Sequence, residues 1–404
     1  MSDTKFRVYG YRWVVLGVFM FLNLTIQMLW IGYAPITGPA AQFYHVTDAQ
    51  IGLLAMIFML VFLPLSIPVS WVIDTYGFRV AVGIGAVIMA VFGVVRGLAG
   101  ADYTLVVWST VALAVAQPFM MNAWTKVPAN WFSIRERATA VGLVTLASLM
   151  GIALGMALTP ILMDSGMPIP SIELLYGALA AFSSVLFIFL AREKPATPPC
   201  PQGMEVRALM LDGFKHALTV KPFWMYLFVM FIGMGVFNGV TTWVETIIRP
   251  RGFTPTDAGT VGALMLLGGV IGAAAIPPFS DRQHKRVRYL LLGVLLAIPW
   301  LIGLTYATSP WLLFVSAFGL GFFLISISPI GMQYAAEITQ PTPEGTSNGL
   351  IQLAGQLSVV FVYIMEVLRL PDGSFTPGLL LAGGLLIVCA FVITRMPDPA
   401  PQPS

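Results

Sequence analysis

Apolar positions in this chain run in long unbroken stretches separated by short polar ones. Such stretches predict membrane-spanning helices, because a helix needs about 20 mainly apolar residues to cross the hydrocarbon core. Spans are predicted near residues 13–36, 50–73, 78–99, 103–126, 138–162, 173–191, 222–247, 257–279, 287–307, 310–334, 346–368 and 376–395. The strands of a β-barrel would instead give short alternating segments. The expected fold is an all-α membrane protein with twelve transmembrane helices. One substantial polar connector breaks the pattern at 192–221, where Arg192, Glu193 and Lys194 precede Pro195, Pro198, Pro199 and Pro201. It divides the chain into six-helix halves at 1–191 and 222–396, with 397–404 expected to be a disordered tail.

Composition agrees. Of the 404 residues 58% are hydrophobic and 10% charged, against roughly 25% charged in a soluble domain, so lipid must replace water around most of the surface. The first apolar run, preceded by Lys5, Arg7 and Arg12, reads as a signal anchor retained as helix 1. With both termini in the cytoplasm, only Arg96, Arg249, Arg251 and Arg369 of the 21 Lys and Arg residues fall outside. The positive-inside rule therefore predicts cytoplasmic termini in a multi-pass protein of the cell membrane. The two cysteines and three histidines form no metal-ligand pattern, and the net charge of +3 has no basic block for nucleic acid. No nucleophile–base cluster marks an enzyme, and no cofactor is called for. A small-molecule substrate, the lipid bilayer and a monomeric state are expected.

The halves repeat. Asp74 ends helix 2 and Asp281 ends helix 8, while Arg137 to Leu143 opens helix 5 and Glu344 to Leu350 opens helix 11. One spacing of about half the chain relates these pairs, as expected for two pseudo-symmetric six-helix halves. The stretch from Ser70 through Asp74 and Gly77 to Arg79 resembles the signature of the major facilitator superfamily. A weaker second copy runs through Pro277, Asp281 and Arg282 to Lys285 and Arg286. An acid and bases on a short turn can pair across helix ends and hold the cytoplasmic side shut; otherwise they only anchor the helix ends and set topology. The gating candidates are Asp74, Arg79, Arg135, Arg137, Asp281, Arg282 and Glu344. Asp74 is expected to pair with Arg137 or Arg79, and Glu344 in place of a basic residue breaks the symmetry of the latch.

A narrower resemblance runs through Trp30 to Tyr33, Phe58 to Trp71, Ala116 to Phe119, Pro343 to Leu350, and Gly355-Gln356. These segments are similar to the feline leukaemia virus subgroup C receptor family, major facilitator transporters linked to choline, ethanolamine and haem. That resemblance implies that Trp30, Gln117 and Gln356 face a central cavity. It also implies an aromatic residue on helix 7 where Asn238 stands, with Trp243 a turn further on as its substitute.

The residues add their own reading. A Gln inside a span needs either a helix–helix hydrogen bond or a wet cavity. Asn23, Gln27 and Trp30 share one face of helix 1, and Asn238, Thr241, Thr242 and Glu245 share one face of helix 7. Helices 1, 2, 4 and 5 carry no acid in their middle, which favours facilitated transport over proton coupling. Glu245 is the best candidate for a proton or cation site, or else a partner for Arg249 one turn on. The expected function is secondary transport by alternating access of a compact organic cation such as choline or ethanolamine. Haem or another porphyrin, and proton-coupled carriage of another metabolite or drug, are the alternatives.

Overall fold

The computed structural model describes residues 9–197, 211–283, 285–340, 342 and 344–399. Residues 198–210 of the connector and 400–404 of the tail lie outside the described residues, as do the side chains of Arg135 and Glu344. Twelve helices among the described residues are long and apolar enough to cross a membrane. Spans 1 to 6 are Arg12–Tyr44, Asp48–Tyr76, Phe78–Leu98, Tyr103–Trp131, Thr139–Asp164 and Ile169–Leu190. Spans 7 to 12 are Lys221–Thr242, Pro255–Gln283, Arg286–Tyr306, Pro310–Ile338, Ser347–Val367 and Thr376–Ile393. Both ends of the described chain, with residues 192–197 and 211–221, lie at one end of the bundle. We call it the basic end and its opposite the far end.

The packing repeats with a period of six spans. In the first half span 1 packs on 5, span 2 on 4 and span 3 on 6; in the second, 7 packs on 11, 8 on 10 and 9 on 12. Across the halves, span 5 meets 8 and span 2 meets 11, which are equivalent pairs under the same exchange. This is the pseudo-symmetric two-half architecture the repeat predicts. Within lipid, helices gain little by hiding apolar side chains from one another, so close backbone approach carries the packing. Small residues permit it. A side chain at Gly177 would run into the Gly93 carbonyl between spans 3 and 6, and one at Gly321 into the Met265 carbonyl between spans 8 and 10.

Several spans are broken where the sequence pattern reads as continuous. Helix 1 stops at Ile31, passes through a tight turn at Ala34–Ile36, and resumes as Thr37–Tyr44. Pro35 at that turn cannot donate a helical bond. Span 4 is interrupted after Met121 and resumes at Lys126, just beyond Pro118. Span 11 breaks at Ser358, whose backbone N–H bonds Gly355. Span 7 ends at Thr242, so Glu245 belongs to a separate short helix, Val244–Ile248, beyond the span. At the basic end the carboxylate of Glu193 accepts from the N–H groups of Phe78, at 3.2 Å, and Arg79, at 2.7 Å. Asp398 caps span 9 in the same way, accepting from Val287 N–H at 2.9 Å. An anion at a helix start meets both unsatisfied donors and the positive end of the helix dipole. Pro397 is held too, by a hydrogen bond from Tyr334 at 3.2 Å, so the tail is anchored through Asp398.

Candidate functional site

The polar face of span 1 is buried inside the first half. Gln117 of span 4 donates from Nε2 to Gln27 Oε1 at 3.2 Å, which joins the two spans through neutral amides. The Oε1 of Gln117 is buried and has no hydrogen-bond partner, an arrangement that costs free energy unless something occupies it. Asn23 is fully used: it donates to Phe19 O at 2.9 Å and accepts from Trp124 Nε1 at 2.6 Å. Trp30, three residues from Gln27 and on the same face, is buried, with its indole N–H on the Ala55 carbonyl at 3.1 Å. That bond fixes the plane of the ring against span 2.

On the second half, Asn238 donates to Ser358 Oγ at 3.0 Å, at the break in span 11. Thr242, four residues on, has a buried Oγ1 with no partner. Gln356 is half-buried on span 11, and its amide has no hydrogen bond among the described residues. The chain thus carries Trp30, Gln27 and Gln117 on the first half and Asn238 and Gln356 on the second.

Trp243 and Glu245 sit elsewhere, at the far end. The Trp243 ring is wholly buried, lies over Gly52 of span 2, stacks near Phe375 and donates to Val362 O at 3.0 Å. A side chain at Gly52 would collide with that ring. Around this plug the halves are joined by charge. Asp48 of span 2 accepts from both Arg249 and Arg369, the latter at 2.9 Å. Glu245 accepts from Gly38 N–H at 3.1 Å and lies 3.5 Å from Arg249. Thr256 of span 8 donates to Asp164 of span 5. Burial pushes the Glu245 carboxyl above its ordinary range; Arg249 and the Gly38 N–H pull it part of the way back. Burial also opposes the charge on Arg249, but Asp48 and Glu245 outweigh it and leave the guanidinium more basic than usual.

The gating candidates lie at the basic end. Asp74 meets Lys126 at 3.1 Å, a contact not among those expected from the sequence. The break in span 4 swings Lys126 back toward span 2. Arg137 donates to the Ala129 carbonyl at 3.0 Å. In the second copy Asp281 pairs with Arg286, which also holds Glu337 at 3.0 Å. Arg79 and Arg282 point to the surface. Each of these pairs lies within one half.

Sequence comparison agrees with the geometry. The Major Facilitator Superfamily profile matches residues 15–363, and a second match covers 251–404. The chain belongs to the major facilitator superfamily. Among relatives within this superfamily, Solute carrier family 49 member A3 of Danio rerio is 29% identical, over 97% of this chain and 89% of that protein. Choline/ethanolamine transporter flvcr2a of Danio rerio is 26% identical, over 97% and 86%. Choline/ethanolamine transporter FLVCR2 of Homo sapiens is 24% identical, over 91% and 73%. The resemblance read from the span 1, 2, 4 and 11 segments is thus borne out. A bacterial homologue of the human lysosomal transporter Spinster, solved inward-facing and unoccupied, superposes with TM-score 0.73 over 98% of this chain and 100% of its own. At 14% identity it speaks to the fold alone.

Reasoning from sequence missed the far-end hub. Asp48 follows Thr47 and precedes Gln50, which form a capping box at the start of span 2, so Asp48 reads as an ordinary first-turn acid. The available signal was the set of far-end arginines, Arg249 and Arg369, which need carboxylates. A buried ion pair between Arg96 of span 3 and Glu173 of span 6 was missed as well; its partners are distant in sequence, and both stand near span ends.

Proposed function

We propose that this superfamily member carries a compact organic cation of the choline or ethanolamine class, by alternating access, between its two halves. The observation that carries this reading is the Gln27–Gln117 pair, with Gln117 Oε1 buried and unpartnered and with Trp30 three residues beyond Gln27 on the same face of span 1. An amide oxygen accepts from a hydroxyl or ammonium without a fixed charge, so release need not break a full ion pair. The Trp30 ring, fixed by Ala55, supplies a face for the cation, an attraction of roughly 0.5–2 kcal/mol. Gln356 and Asn238 present neutral groups from the opposite half. The names of the relatives, choline/ethanolamine transporters at 24–26% identity, support the same class. The far-end plug and charges support a conformation closed at that end and open at the basic end, with the termini cytoplasmic.

The test is uptake and binding of labelled choline and ethanolamine in proteoliposomes. Trp30→Ala should abolish most binding and Trp30→Phe should retain part of it. Gln117→Ala and Gln356→Ala should each weaken binding by about 1 kcal/mol, the worth of a neutral hydrogen bond. Failure of both amines to bind, or binding of a porphyrin or an organic anion unaffected by Trp30→Ala, would sink the cation reading. A second reading, proton coupling, is favoured by one observation: the far end gathers three carboxylates, Asp48, Glu245 and Glu366, around the two guanidinium groups of Arg249 and Arg369. Accumulation driven by a pH gradient and stopped by Glu245→Gln would establish it.

A further inference from the structure

On the membrane face of the first half, a groove of about 520 Å³ runs between spans 3 and 6, lined by Arg79, Val80, Gly83, Ile84, Val87 and Ile188 among others. Its walls are apolar and exposed. Gly83 keeps it open, since a side chain there would meet nothing within 4 Å and would project into free space. Arg79 stands at its polar mouth. The sequence marks Arg79 as a latch residue, yet its partner is not Asp74, which is paired with Lys126. Among the described residues the Arg79 guanidinium has no ion pair or hydrogen bond, although the side chain is exposed. The nearby Glu193 carboxylate accepts from the N–H groups of Phe78 and Arg79 and from Asn130 Nδ2 at 3.1 Å, and among the described residues it forms no ion pair with the guanidinium.

The depth of the groove is fixed by its neighbours. Trp71 and Tyr76, 60% and 59% exposed, meet edge to face at 6.1 Å on the last turns of span 2. Exposed Trp and Tyr mark the level of lipid headgroups. Arg79 follows Tyr76 by three residues and therefore stands at that level. From there the groove extends to Ile88. Nine residues of helix rise about 13 Å, close to half of a hydrocarbon core of about 30 Å. The groove thus has the length of one leaflet, with a cation at its headgroup end and none along its wall.

We infer that this groove binds an anionic phospholipid from the leaflet at the basic end. The phosphate is held by the Arg79 guanidinium, whose planar fork suits phosphate oxygens, and one acyl chain lies over Gly83. The site is separate from the substrate face of spans 1 and 4. Its occupancy ties span 3 to span 6, and so steadies the turn that carries Asp74.

The protein, purified in nanodiscs of phosphatidylcholine with a minor fraction of phosphatidylglycerol, should retain phosphatidylglycerol in native mass spectra after most lipid is stripped. Arg79→Gln should lower that retention roughly fivefold, the worth of one basic residue at an anionic surface, and Arg79→Lys should keep part of it. Gly83→Leu, which fills the groove and leaves the guanidinium in place, should lower retention as well. Equal retention of phosphatidylcholine and phosphatidylglycerol by the wild type overturns the proposal, as does unchanged retention in Arg79→Gln. Displacement by millimolar inorganic phosphate alone would reduce the site to a surface cation and overturn the role of the groove. Should Gly83→Leu fail to fold, the Arg79 pair of variants still decides.

Discussion

The two ends of the bundle hold their charges in different ways. At the far end the described ion pairs of Asp48 and the contacts of Glu245 and Trp243 cross from one half to the other. At the basic end Lys126–Asp74, Arg12–Glu136, Arg286–Asp281 and Arg286–Glu337 each stay within a half. The first set depends on how the halves sit against each other. The second holds each half together whatever its partner does. Charges of similar chemistry therefore do different work: among the described ion pairs, those of Asp48 join the two halves and those at the basic end do not.

The largest test of this contrast is steric. Gly52→Leu places a side chain where the Trp243 ring lies, and overpacking typically costs about 1–3 kcal/mol. The far end should then open and transport should fall by roughly an order of magnitude or more. Distances between spin labels on the far ends of spans 5 and 8 would lengthen; an unchanged distribution would mean that the plug does not hold the end shut. Next comes charge. Asp48→Asn weakens the contacts to two arginines at once, about 1–2 kcal/mol in total, and should shift the same equilibrium roughly tenfold. Lys126→Gln, breaking a pair inside one half, should shift it by less than about 1 kcal/mol. If the two variants move the spin-label distances equally, the distinction between the ends collapses.

A smaller effect concerns pH. Glu245 in the closed far end has a pKa above that of a carboxyl open to water. The closed end therefore binds more protons than the open one, and its population rises as pH falls through the interval between those two values. It falls as pH climbs through the same interval and levels off above the raised value. Glu245→Gln should flatten this dependence in the same spin-label measurement. The smallest expected effect is Asp398→Ala, which removes one helix cap, about 0.5–1 kcal/mol. It should lower the thermal midpoint of the detergent-solubilised protein slightly and leave access unchanged. A shift in access would show that the caps also report on the halves' arrangement.

The spans, their count and the two-fold repeat were legible because each is written in local composition and in spacing along the chain. So was the amide character of span 1, since Gln27 has few options inside a membrane. The contact between Lys126 and Asp74 was not legible. Lys126 reaches Asp74 only because span 4 breaks after Met121, and a continuous apolar pattern conceals that break. Trp243 read as the substitute for an aromatic residue expected where Asn238 stands, but the helix ends at Thr242 and its ring turns toward Gly52. The hub at Asp48 joins residues 201 and 321 positions apart, and no periodicity links them. Local signals set the elements here; which charges cross between halves is a tertiary fact.

The two helix caps carry a consequence for how the chain is made. Glu193 lies beyond span 6 and reaches back to the start of span 3, and Asp398 lies beyond span 12 and reaches back to the start of span 9. A chain threaded into the membrane span by span leaves span 3 with bare N–H groups at its entry until Glu193 is synthesised. The first six spans can then lock as a finished module while translation continues. Spans 7 to 12 wait in the same way for Asp398. The two carboxylates thus make the last-synthesised residues of each half the ones that complete a helix start laid down three spans earlier.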